Sequence, residues 1–154
     1  MNHWTDRLVT LGACPEAVTW AKGYATPAAA WKVCQRGDWM LWLAGKLSGE
    51  PGSDGRKPLV LAACACARLA LKHVAQGEIR PRVAIETAER WARGVEGVTL
   101  NDVRKAAYAA AYAANAAAYA AYAAYAAARA QARAKALAKC ADIVRRIVSM
   151  PVIH

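Results

Sequence analysis

Phenylalanine is absent, and three histidines are the whole imidazole supply. Alanine inflates the 57% hydrophobic fraction without adding much volume, so the bulk of any core must come from six Trp and from the Leu, Val and Ile of the N-terminal half. Acids are scarce as well: 11 Asp and Glu stand against 21 Lys and Arg, leaving +10. That field favours anionic partners, namely nucleic acid, nucleotides, an acidic protein or an anionic membrane surface. No Val/Ile/Thr-rich alternation occurs, so strands are not required. The longest alanine run is broken by Arg, Lys and many Tyr, which argues against a membrane span. Met1-Asn2-His3-Trp4-Thr5-Asp6-Arg7 has no charged region followed by an apolar core, so no secretory leader is expected. Five cysteines, an odd number and mostly inside predicted helices, make a poor disulfide framework and suit a reduced, cytoplasmic setting.

Glycine and proline are missing from 98–150, and this absence shapes the chain most. Between Ala106 and Ala138, 22 of 33 residues are alanine, the best helix former, and nothing local stops the helix. At about 100° per residue, Arg104, Tyr108, Tyr112, Asn115, Tyr119, Tyr122, Arg129 and Arg133 fall on one stripe opposite a face of nearly pure alanine. Thr99 with Asp102 resembles a capping box and starts the segment. Unbroken over 99–148 it would be about 75 Å long, whereas a compact domain of this size is about 40 Å across. The helix must therefore bend, break or project into an oligomer. The alanine face allows close helix approach, and Ile143, Val144, Ile147 and Val148 form an apolar docking turn, so a homo-oligomer is expected.

At 154 residues the chain is expected to form one helical domain, 1–154. Short helices fill 1–47. One covers 3–11 and ends at Gly12; a second starts at Pro15 with Glu16 in its first turn; a third starts at Pro27 behind a Thr26 cap and stops at Gly37. Asp38 is expected to cap the next, which carries Trp39, Met40, Leu41, Trp42 and Leu43. Residues 48–57 read as an exposed loop. Two core helices occupy 58–94: an apolar one over 59–74 and one opened by Pro81, with Val83, Ile85, Ala88, Trp91 and Ala92 inward and Arg82, Glu86, Glu89, Arg90 and Arg93 outward. The whole is an all-α, irregular or orthogonal helical bundle with one long Ala/Tyr-rich helix.

Little in the chain carries catalytic chemistry. Cys64 and Cys66 lie about 200° apart on a helix, too far to share a tetrahedral ion, so they read as small core residues and no metal or other cofactor is expected. His73 sits near a helix end and the other imidazoles near the ends of the chain, which leaves no nucleophile, base and orienting group in combination. Glu86 and Glu89 read as part of a solvated charged face. The Gly49, Gly52 and Gly55 loop lacks the strand, the Gly-Lys-Ser/Thr ending and the helix of a phosphate-binding loop. A helix-turn-helix over 81–93 and 99 onward would present an Ala/Tyr helix with few groups for base edges. The Tyr/Arg stripe does suit ring stacking with phosphate neutralisation, and 101–154 supplies +6 of the charge, eight Lys/Arg against two Asp.

Several stretches together resemble an immunity-protein family found beside bacterial polymorphic toxins and, with the Ala/Tyr insertion, in phage genomes. They are Cys14-Pro15-Glu16-Ala17, Trp31 with Gly37-Asp38-Trp39-Met40-Leu41-Trp42-Leu43, Ala67-Arg68-Leu69-Ala70-Leu71, Arg80-Pro81-Arg82, Ala88-Glu89-Arg90-Trp91-Ala92 and Cys140-Ala141-Asp142-Ile143-Val144-Arg145. The resemblance implies an all-helical intracellular binding protein of genetic conflict, without cofactor or catalytic residues. An inhibitor plugging the basic groove of a nuclease should be acidic, and this chain is basic. The expectation is therefore a non-enzymatic anti-defence binder that sequesters an anionic ligand, foremost a nucleotide-derived immune signal, along Arg104, Tyr108, Tyr112, Asn115, Tyr119, Tyr122, Arg129 and Arg133, with Trp39 and Trp42 as lining. The alternatives are an inhibitor that blocks a toxin or an acidic defence protein by direct contact, and a nonspecific nucleic-acid binder.

Overall fold

The computed structural model describes residues 3–109 and 126–153, with side chains in the last helix from residue 132 onward. Among the described residues every regular element is helical, as an all-α bundle requires: α1 (Thr5–Thr10), α2 (Pro15–Ala21), α3 (Pro27–Val33), α4 (Gly37–Leu47), α5 (Lys57–Arg68), α6 (Arg80–Ala92), α7 (100–109) and α8 (Ala126–Ile147). Three-residue 3₁₀ turns at Asp54–Arg56 and Leu71–His73 flank α5. The stretch expected as one helix over 99–148 is described as α7 and α8, and 110–125 lies outside the described residues.

Local chemistry sets most starts. Proline occupies the first turn of α2, α3, α5 and α6, where its missing N–H costs nothing and its fixed φ suits the helix. The Thr26 hydroxyl accepts the Ala29 amide at 3.2 Å. Before α7, the Thr99 amide donates to the Asp102 carboxylate at 2.9 Å and the Asp102 amide returns to the Thr99 hydroxyl at 3.2 Å, a reciprocal capping box.

The core is built around α5, which packs against α4, α6 and α8. Small side chains let these helices approach closely: Ala62 and Ala141 are fully buried beside Met40, Cys34 and Val144. A second cluster joins Leu8, Val18 and Ala21 to Trp4, Trp20, Leu43 and Ile153. Gly37 belongs to this tight packing. Expected as the stop of α3, it is the first residue of α4, and a Cβ there would fall 2.4 Å from the Cys140 Cβ and 2.7 Å from the Ala141 amide nitrogen. α3 has already ended, with Cys34 extended. Asp38 likewise is not the cap but sits in the first turn, its carboxylate held by Arg36 at 2.8 and 2.9 Å.

Two further expectations change. α5 ends at Arg68 rather than running to residue 74, because the Leu69 and Ala70 amides tighten onto the carbonyls three residues back. Apolar periodicity reports which side is buried, not whether the i to i−4 ladder continues. Glu89 is not on an outer face: its side chain is 11% exposed and accepts both Arg68 Nε and Nη2 at 2.8 Å, with Arg93 at 3.5 Å. The guanidinium from α5 satisfies a carboxylate that single-helix polarity assigns to water, and Val83 takes the exposed place instead.

Candidate functional site

The inner stripe of α8 runs from Val144 through Ala141 and Cys140 to Leu137 and Arg133, at spacings of three and four. Val144 and Ala141 are fully buried, Leu137 is half-buried and Arg133 is exposed. The stripe thus leaves the core and carries a cation into a recess of about 550 Å³ between α8, α2 and the α3–α4 link, lined by Glu16, Gln35, Arg36, Arg133, Ala134 and Leu137. This volume falls within the range of small-molecule sites, roughly 300–1,000 Å³.

Among the described residues two cations line the recess, and they differ. Arg36 is fixed: it forks onto Asp38, reaches Glu16 at 3.3 Å and lies 4.1 Å over the Trp39 ring. The Arg36 hydrogen bond holds the Asp38 carboxyl below the usual carboxylate range, so the Arg36 charge is largely offset. Arg133 has neither an ion pair nor a hydrogen bond among the described residues. Glu16 remains 73% exposed on the opposite wall and opposes an incoming anion.

The expected site residues separate. Arg133 lines the recess, and Trp39 touches its wall through Arg36. Trp39 and Trp42, both half-buried, instead face an apolar cavity with three other tryptophans, with Lys46 Nζ 5.7 Å over the Trp42 ring. Arg104 and Tyr108 are exposed on α7, Tyr108 to 78%, and neither lines the recess. Tyr112, Asn115, Tyr119 and Tyr122 lie outside the described residues, and Arg129 belongs to α8 ahead of its described side chains. Sequence reading did not assign Glu16, Gln35 and Arg36 to a site. Glu16 looked like a dipole-complementing acid, and no periodicity links residues 35 and 36 to residue 133.

Two of the packed thiols are held protonated by burial. All five cysteines are free thiols. Burial pushes Cys64 up to about 11 and Cys66 up to about 12, and the Cys66 Sγ lies 3.8 Å from the Cys140 carbonyl oxygen. Such thiols stay protonated at neutral pH and are poor nucleophiles. Among the described residues, no three His, Cys, Asp or Glu gather to hold a metal ion, and no helix is long and apolar enough to cross a membrane. Compared with family models, with curated proteins and with solved structures, the chain matches none.

Proposed function

We propose that the protein is a non-catalytic binder of an anionic ligand of nucleotide size, held at the recess between α8 and the α2–α4 side of the bundle. The observation that carries this reading is Arg133, a cation without a partner among the described residues, on the stripe of α8 that continues outward from the buried Val144 and Ala141. Two further features support it. The acids of the C-terminal half are already engaged, Asp102 by Thr99 and Asp142 by Arg145, while Arg104, Lys105, Lys135, Lys139 and Arg146 have no ion pair among the described residues. Gln35 adds an amide to the lining, a donor and acceptor suited to a base edge or a phosphate. Sequestration of a nucleotide-derived signal in a conflict setting follows from joining this charge pattern to the resemblance described above.

A thermal-shift panel of cyclic di- and oligonucleotides tests the proposal. A ligand at 100 times its Kd stabilises by about 2.7 kcal/mol, which raises Tm by about 5–10 °C in a domain of this size. The shift should shrink with added salt and vanish in Arg133→Glu. Indifference to every nucleotide alongside stable association with an acidic protein would replace this reading with inhibition by protein contact. Affinity that grows with the length of a single strand would replace it with nonspecific nucleic-acid binding.

A further inference from the structure

Away from that recess, the segment 149–153 lies over an apolar cavity of about 60 Å³ whose walls include Trp4, Trp20, Trp31, Trp39 and Trp42, with Met150 and Ile153 among the lining residues. Ile153 also packs on the Leu8, Val18 and Ala21 cluster, while Val152 between them is 63% exposed. Among the described residues no hydrogen bond ties 149–153 to the bundle; the last backbone bond runs from the Val148 amide to the Val144 carbonyl. The segment is therefore held by three partly buried apolar side chains, Met150, Pro151 and Ile153, the first and last lining the cavity, against the ordering entropy of five residues and over a cavity it does not fill.

We infer that 149–153 is a displaceable strap, and that the tryptophan-lined cleft beneath it is a docking site for an apolar peptide segment with two anchors three residues apart, as in Met150 and Ile153. The cleft already seats a segment of that pattern through side chains alone, so a second segment of the same chemistry gives up no backbone bond by replacing it. Its rim selects the flanks. Lys46, which has no ion pair among the described residues, stands over the Trp42 ring, and no Asp or Glu is among the described residues lining the cleft, which favours an acidic residue beside the anchors. An occupant in cis lowers the apparent affinity of a competitor by the fraction of molecules left open.

The test titrates the full chain, carrying ¹³C-labelled Met methyls, with an acetylated and amidated Ser-Met-Pro-Val-Ile peptide. The Met150 methyl, at a cavity walled by five tryptophans, moves to its free-chain position as the strap is displaced, while that of Met40 in the core stays. A Met150→Ser, Ile153→Ser double variant binds the peptide about tenfold more tightly than the parent, the gain expected when a competitor occupying about nine molecules in ten is removed. Val152→Ser leaves the affinity unchanged, and an Asp placed before the peptide raises it at low salt. A Met150 methyl that does not move at millimolar peptide overturns the inference, whether or not the double variant folds. So does a folded double variant that binds no more tightly than the parent, and an Asp that leaves the affinity unchanged overturns the acidic preference.

Discussion

Arg145 of α8 donates to the Cys34 carbonyl at 2.6 Å and to the Trp31 carbonyl at 3.2 Å, closing the end of α3 from 111 residues away. A seven-residue helix leaves its last carbonyls without intrahelical partners, and no glycine cap follows α3. Asp142, one turn back, holds the other arm of the guanidinium at 2.6 Å. The cation stands where the helix dipole is negative, so hydrogen bonding and field act together.

Arg145→Met keeps the aliphatic stem and removes these bonds. Stability should fall by about 2–4 kcal/mol, the cost of charge-assisted bonds whose acceptors stay partly buried. Urea melts measure it, and a loss below about 0.5 kcal/mol would show that water replaces the guanidinium freely.

Gly37→Ala sets two effects of opposite sign against each other. Helix propensity alone predicts a gain, at most the roughly 1 kcal/mol of a helix interior because Gly37 is the first residue of α4. The new methyl would fall 2.4 Å from the Cys140 Cβ and 2.8 Å from the Cys140 carbonyl carbon, and backbone atoms cannot yield as a flexible side chain can. Overpacking costs about 1–3 kcal/mol or more, so a net loss is expected. A raised Tm would mean that α4 and α8 separate easily.

Glu89 gives the fold an acid limb. The Arg68 hydrogen bonds hold its carboxyl below the ordinary value of 4.5. A carboxyl with a lowered folded pKa stabilises fully above its unfolded value, and the contribution is lost as pH falls through the folded one. Chemical denaturation from pH 7 down to pH 3 should therefore show stability dropping from about pH 5 downward. Glu89→Gln should lose about 1–3 kcal/mol at neutral pH and flatten that drop. An unchanged acid slope would shift its origin to other carboxyls, such as Asp38.

Arg133 and Glu16 should act oppositely on an anionic ligand. Arg133→Glu abolishes binding without moving the melting temperature of the free protein, since the side chain has no partner among the described residues. Glu16→Gln removes the opposing charge from the recess and should tighten binding several-fold at low salt, with the gain fading as salt rises. Calorimetric titration of both variants at two salt concentrations measures this. Weaker binding by Glu16→Gln would mean that the carboxylate matters for orienting Arg36.

By itself the sequence determined the all-α class and most helix starts, because proline at first turns, the Thr26 cap and the Thr99–Asp102 box act over one or two turns. It also marked a C-terminal half rich in alanine and cations. Only the tertiary structure decided which groups meet. Gly37 against Cys140, Arg68 on Glu89, Arg145 on Cys34 and Arg133 facing Arg36 across the recess join positions that no helical period connects. Local preference is written in neighbouring residues. Charge pairing and close packing depend on how helices cross, and that depends on every side chain in the core at once.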